Sequence, residues 1–406
     1  MKRSFFLVLL ILIALLFSFV PDSLLAFQEG RRVSDGGTVA VTAEEVADAP
    51  KLSNDQHVAI QTFEDEDLAS VVAIDGSRDG RFLYTAAFAG KAICSIQVDS
   101  ETGKLSNKKV QSLIPGAIGL HVSPDQKWLI AVAHTMNAIV LFSRDAESGD
   151  LELVDNYMIE EAGPNGSILP IAVTFSPNSK FVYASDDSGV LHCLKRTDDS
   201  LEYLSAETGE DECLFGARNV TFDATGKYLS VVCRTANTFV VFKHNPEDGS
   251  LSLVDYAEDE VGGITALAGA HGLNECPDSK HMYVCCGRFS GDSSVMAFEL
   301  AEDGKLKLLQ ELEAGEQLDG FEGGNLINAS PDGKFVYASG ALSGNLASFK
   351  RDAASGKLTF DRYFEVDGDE DLQMTSGIHI SGDNRFVYVG GEAAGCVYVF
   401  ERQPTP

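Results

Sequence analysis

One short pattern returns seven times along this chain: a turn, a basic residue, then a run of aromatic and aliphatic residues. It reads DGRFLYTAA ending at Ala87, DQKWLIAVA at Ala133, NSKFVYASD at Asp186, TGKYLSVVC at Cys233, DSKHMYVCC at Cys286, DGKFVYASG at Gly340 and DNRFVYVGG at Gly391. Its basic residues are Arg81, Lys127, Lys180, Lys227, Lys280, Lys334 and Arg385, spaced 46 to 54 residues apart. A fixed period of this length marks a unit that buries its apolar faces only by stacking on its neighbours.

Each unit reads as four strands. A short strand A enters a Pro-Asp-Gly type turn, where Pro presets one backbone angle and Gly or Asn tolerates the next. Strand B is the aromatic run, rich in residues that suit a pleated sheet. A polar loop leads to strand C (AIVLFSR, TFVVFKH, NLASFKR), and a hairpin such as DAASGKL leads to strand D. Amphipathic helical spacing is not evident after Gln28. Seven such units predict an all-β, seven-bladed β-propeller with four-stranded blades. The seventh unit stops after strand C near Arg402, while His57 to Phe63 is an orphan strand ahead of the first unit. The last blade is therefore expected to be closed by the N-terminal strand, and the propeller to span 55–402.

Ahead of it, Lys2 and Arg3, the apolar run from Phe5 to Val20 and the small-residue approach to Ala26 read as a signal peptide over 1–26. Residues 27–54 read as a flexible tether. The protein is expected to be exported, periplasmic or extracellular, or membrane-tethered where the signal is retained. A net charge of −30 repels polyphosphate backbones and anionic lipid, so neither nucleic acid nor, after signal cleavage, membrane is an expected partner. The expected partner is a small-molecule substrate or ligand, bound by a monomer. Eight Cys form no C-x-x-C pair, so no zinc site is expected. Cys94, Cys193 and Cys396 lie in apolar runs and read as buried thiols, whereas Cys233, Cys276, Cys285 and Cys286 are the candidate disulfide set. No cofactor is expected. Six of the seven connections from strand D to the next strand A are acidic, and DGDED at Asp367 to Asp371 leaves a divalent cation as an alternative to simple solubility.

The start of strand A and the loop from B to C fall at one end of every blade. That end collects Arg218, His271, Asn325 and Ser376, with Ile118 and Ile171, from the first source. It collects His134, Asp186, Asp187, Arg234, Arg288, Asp292 and Glu392 from the second. Arginines among carboxylates suit bidentate capture of an acid group. The residue two before the A–B turn is polar in six units: His121, Thr174, Thr221, Asn274, Asn328 and His379. These side chains either line a wet central tunnel or hydrogen bond between strands.

The SPDGKFVYAS-like units, best seen at Ser330 to Ser339, each with a D-x-x-S-G-K-L hairpin, resemble the seven-bladed lactonase propellers. That family includes a 6-phosphogluconolactonase and a carboxymuconate lactonising enzyme. GARNVTF resembles the family's G-x-R-H-x-x-F segment and GRFSGDSSV its R-G-H-D-S-I loop. The resemblance implies that Arg218 and Arg288 hold the substrate's acid groups, and it carries over Asp292. The family's acidic residue after the next strand B falls on Arg234, and its histidine falls near Pro170 or Ile171. His271, Asp292, His134 and Glu392 are the groups available in place of the missing base. The expected function is hydrolysis of a sugar lactone, with Arg218, Arg288, His271 and Asp292 as the catalytic set. The alternative is a non-catalytic exported binding propeller, similar to surface proteins with Y-V-T-N repeats, of which YASDDSG at Tyr183 to Gly189 is a reminder.

Overall fold

The computed structural model describes residues 59–160, 168–210, 212–278, 280–289, 293–315, 317–364 and 374–402. The expected signal and tether, Asp292 and the DGDED stretch lie outside the described residues.

Seven antiparallel sheets of four strands follow one another along the chain. Their inner strands A are Val71–Gly76, Ala117–Val122, Pro170–Phe175, Ala217–Phe222, Ala270–Glu275, Gly324–Ala329 and Thr375–Ile380. Each packs on the next and the seventh on the first, so the ring closes. Strands B are buried almost throughout, as in Phe181–Asp186, because both faces of an inner strand meet a neighbouring blade. The outer strand Leu105–Leu113 is mostly exposed or partly buried beyond its buried first residue. Seven apolar cores lie between adjacent blades; the one joining blades 7 and 1 holds Leu68, Val71, Leu83, Phe386 and Val399.

The closure follows the expectation from the repeats. Ala59–Glu64 pairs antiparallel with Cys396–Glu401 and becomes the outer strand of blade 7. Adjacent blades are also tied at the turn end of the ring. The strand B tyrosines Tyr84, Tyr183, Tyr283 and Tyr388 donate to the carbonyls of Gly149, Gly249, Gly356 and Gly103 in the next blade's C–D hairpin, at 2.7 to 3.1 Å. Those hairpin glycines take φ between 68° and 78°, and a Cβ on any of them would strike the ring of Phe82, Phe181, His281 or Phe386 within 2.5 Å. The repeated glycine is thus a packing requirement. Blade 6 faces blade 7, which has no such hairpin; there Arg402 stacks over Phe335 and Tyr337 instead.

Two sequence expectations are decided by packing. The proposed disulfide set does not form: all eight cysteines are free and buried. Cys285 and Cys286 are consecutive on one strand and enter different interblade cores, while Cys233 lies in a third. Burial pushes the Cys286 thiol up to about 12 and the Cys276 thiol up to about 11. Polar residues two before the A–B turn hydrogen bond from blade to blade in several units, whereas the Thr221 hydroxyl donates to the Phe222 carbonyl of its own strand. Asn274 accepts from the Ala329 N–H, Asn328 donates to the Ile378 carbonyl, and His121 accepts from the Phe175 N–H. Asp75 of blade 1 joins this set by accepting from the Val122 N–H at 2.8 Å.

Candidate functional site

Strand A slips its register against strand B by one residue near its start in all seven blades. A bulge of this kind leaves one residue out of the ladder and re-aims its side chain. The re-aimed positions begin with Val72, Ile118 and Ile171 in blades 1 to 3 and continue with Arg218, His271, Asn325 and Ser376 in blades 4 to 7. The ring of bulges at this end of the propeller is therefore apolar on one side and polar on the other. Val72, Ile118 and Ile171 pack into one apolar cluster together with Phe88.

The polar side is wired from blade to blade. His271 donates from Nδ1 to the Asn325 carbonyl at 2.9 Å, and the Asn325 amide donates to the Thr375 carbonyl at 3.0 Å. Ser376 donates to the Val72 carbonyl at 3.1 Å, joining blade 7 to blade 1. Because a carbonyl can only accept, the proton of neutral His271 sits on Nδ1, which leaves the Nε2 lone pair open. Burial first, then the Arg288 and Arg218 guanidiniums, hold the His271 pKa well below the ordinary 6.5. The imidazole is neutral at physiological pH.

Three arginines converge beside it. Arg218, only 4% exposed, reaches Asp187 with Nη2 to Oδ1 at 3.0 Å, and Arg234 lies 3.8 Å from the other oxygen of the same carboxylate. Burial, with Arg234 and Arg288 close by and Asp187 opposing them, lowers the Arg218 pKa to about 9, so it stays charged at neutral pH. Arg288 spans blades: it donates to the Asn325 side chain and to Glu392, both at 2.7 Å. A parallel bridge between Gly287 and Gly324 fixes its approach, since a Cβ at Gly324 would sit 2.3 Å from the Cys286 carbonyl oxygen. Arg218 Nε and Nη2 and Arg288 Nε are buried without a hydrogen-bond partner among the described residues. The 3.0 Å approach of Arg218 to Asp187 is a charge pair whose angles do not make a hydrogen bond.

The residues expected at the mouth thus divide. Arg218, Arg288, Arg234 and His271 come together. Glu392 is committed to Arg288, and Asp186 accepts from the Leu169 and Ser188 N–H groups, so neither is available as a base. Beside Pro170, where the resemblance placed a histidine, His134 from the B–C loop of blade 2 donates from Nδ1 to the Pro170 carbonyl at 2.9 Å. Its pKa is lowered by burial and also feels Arg218, Asp187 and Asp186. The sequence reading did not single out Phe289. Its ring lies 5.1 Å from the Arg234 guanidinium, 5.2 Å from that of Arg288 and 6.1 Å from the His271 ring. An aromatic residue directly after Arg288 in an otherwise polar loop was the available signal. Among the described residues, no group of three or more His, Cys, Asp or Glu is placed to hold a metal ion.

The arrangement can hold an anion on guanidinium groups in a dry wall and offer a neutral imidazole to water beside it. Known proteins resemble this chain over most of its length. The 6-phosphogluconolactonase of Enterobacter sp. strain 638 is 23% identical over 287 residues, covering 70% of this chain and 81% of that protein. The 6-phosphogluconolactonase of Formosa agariphila is 24% identical over 326 residues, covering 75% and 88%. The solved periplasmic gluconolactonase of Pseudomonas aeruginosa superposes with a TM-score of 0.59 at 17% identity, over 73% of this chain and 85% of that one, which shows shared fold. The family model described as lactonase, 7-bladed beta-propeller, matches residues 36–165, 159–268 and 269–406, and the chain therefore belongs to the seven-bladed β-propeller lactonase family.

Proposed function

We propose that this protein hydrolyses a lactone bearing an anionic group, of the sugar-lactone class for which its relatives are named. The observation that carries the reading is the set of buried guanidinium N–H groups without partners on Arg218 and Arg288, adjacent to neutral His271. Buried donors left unmatched cost about 1 to 3 kcal/mol each, a cost that an oxyanion ligand removes.

In this reading Arg218 and Arg288 hold the acid group and face the oxygen that gains charge. His271 Nε2 takes a proton from water as the water oxygen bonds to the lactone carbonyl carbon. The ring C–O bond then breaks, and the proton passes to the departing alkoxide, giving the hydroxy acid. Asn325 fixes the Arg288 fork, and its backbone carbonyl fixes the His271 tautomer. Residues 1–26 fit export of this activity from the cytoplasm, which cell fractionation with an antibody to the propeller tests.

A panel of sugar lactones with and without a phosphate tests the function. Wild type should open at least one charged lactone, and Arg218→Ala should lower kcat/KM by roughly 100-fold or more. Hydrolysis that survives this substitution unchanged excludes the site. Saturable binding of the lactones with no turnover by wild type instead favours the non-catalytic binding propeller.

A further inference from the structure

We infer that Phe289 is a specificity residue that stacks against the ring face of a cyclic anion held by the arginines. The inference rests on the lactonase reading only for the position of the site. Phe289, in the loop after strand B of blade 5, is 47% exposed, an unusual state for phenylalanine in a chain whose strand-B and strand-C aromatics are mostly buried. It is also not loose on the surface: Arg234 and Arg288 approach its ring at 5.1 and 5.2 Å, and His271 meets it at an interplanar angle of 73°. Three cationic or aromatic groups thus orient one ring while nearly half of it stays open.

The ring lies beside the donors that lack partners. Arg288 carries the buried Nε without a partner, and Arg218 carries two more such atoms. The bulges of blades 1 and 3 add the partly exposed apolar side chains of Val72 and Ile171. The chemistry that meets all of these groups at once is a carboxylate or phosphate on a ring: oxygen atoms on the guanidiniums and a flat or CH-lined face on Phe289. An acyclic anion satisfies only the arginines.

Phthalate and maleate separate the two contributions, because both present a cis pair of carboxylates and only phthalate has a ring. Calorimetric titration of the full propeller should show phthalate binding several-fold more tightly than maleate. Phe289→Ala should weaken phthalate about tenfold, leave maleate within twofold, and thereby show that the arginine site is still folded. Phe289→Tyr should restore phthalate to within twofold of wild type. Equal affinities of the two anions for wild type, an equal loss of both in Phe289→Ala, or no saturable phthalate binding would overturn the assignment. None of these readouts requires turnover, so a protein that opens no lactone yet shows the ring preference refutes the hydrolase reading alone. A protein that opens lactones without the preference refutes only the role of Phe289.

Discussion

Blades 1 to 3 and blades 4 to 7 carry the same bulge at the same place, and the side chains there differ completely. Val72, Ile118 and Ile171 form a greasy arc; Arg218, His271, Asn325 and Ser376 form a hydrogen-bonded one. The backbone device is therefore a neutral mount, and the chemistry depends on which residue each repeat places on it. On the polar arc, burial and the Arg288 and Arg218 guanidiniums push the His271 pKa down.

The largest expected effect comes from opening the seam where the arcs meet, between blade 7 and blade 1. Deleting residues 59–64 removes the outer strand of blade 7 and should abolish the single cooperative thermal transition; an unchanged melt would show that closure does not depend on this strand. Next is the polar arc itself. His271→Gln should lower kcat by about 100-fold or more, with smaller change in KM. In wild type the acid limb of kcat/KM should fall below pH 6.5: a depressed pKa keeps the imidazole neutral as pH drops, and protonation removes the base only further down. A limb at 6.5 or above would assign the proton transfer elsewhere.

The apolar arc should respond in the opposite currency. Ile118→Ala should cost about 2 to 4 kcal/mol of stability by denaturant titration, because it empties part of a buried cluster, while kcat/KM stays within tenfold of wild type. An activity loss as large as that of Arg218→Ala would mean that the arcs are not separable. The smallest effect tests the stitch between them. Ser376→Ala removes the hydrogen bond to the Val72 carbonyl and the one accepted from the Asn325 amide, and should cost about 1 kcal/mol with activity nearly unchanged.

Much of this was legible in the sequence because it is local or periodic. The seven turn-and-strand units fixed blade number, and a missing last strand with an orphan first one implied the clasp that Ala59–Glu64 makes. The alignment of strand starts and B–C loops brought Arg218, His271 and Arg288 to one mouth. The same alignment offered Glu392 as a base, and it could not tell that this carboxylate is spent on Arg288. Nor did it find Phe289, since exposure is a property of the folded surface.

What the chain alone determined was the count, closure and polarity of the blades, because strand periodicity and turn chemistry act over a few residues at a time. Only the tertiary structure decided the site. A one-residue register slip turned each strand start toward the mouth, and Arg288 found Asn325 and Glu392 at 37 and 104 residues' remove. Pairings over such distances leave no mark in local pattern; they exist because ring closure brings distant blades together around a shared axis.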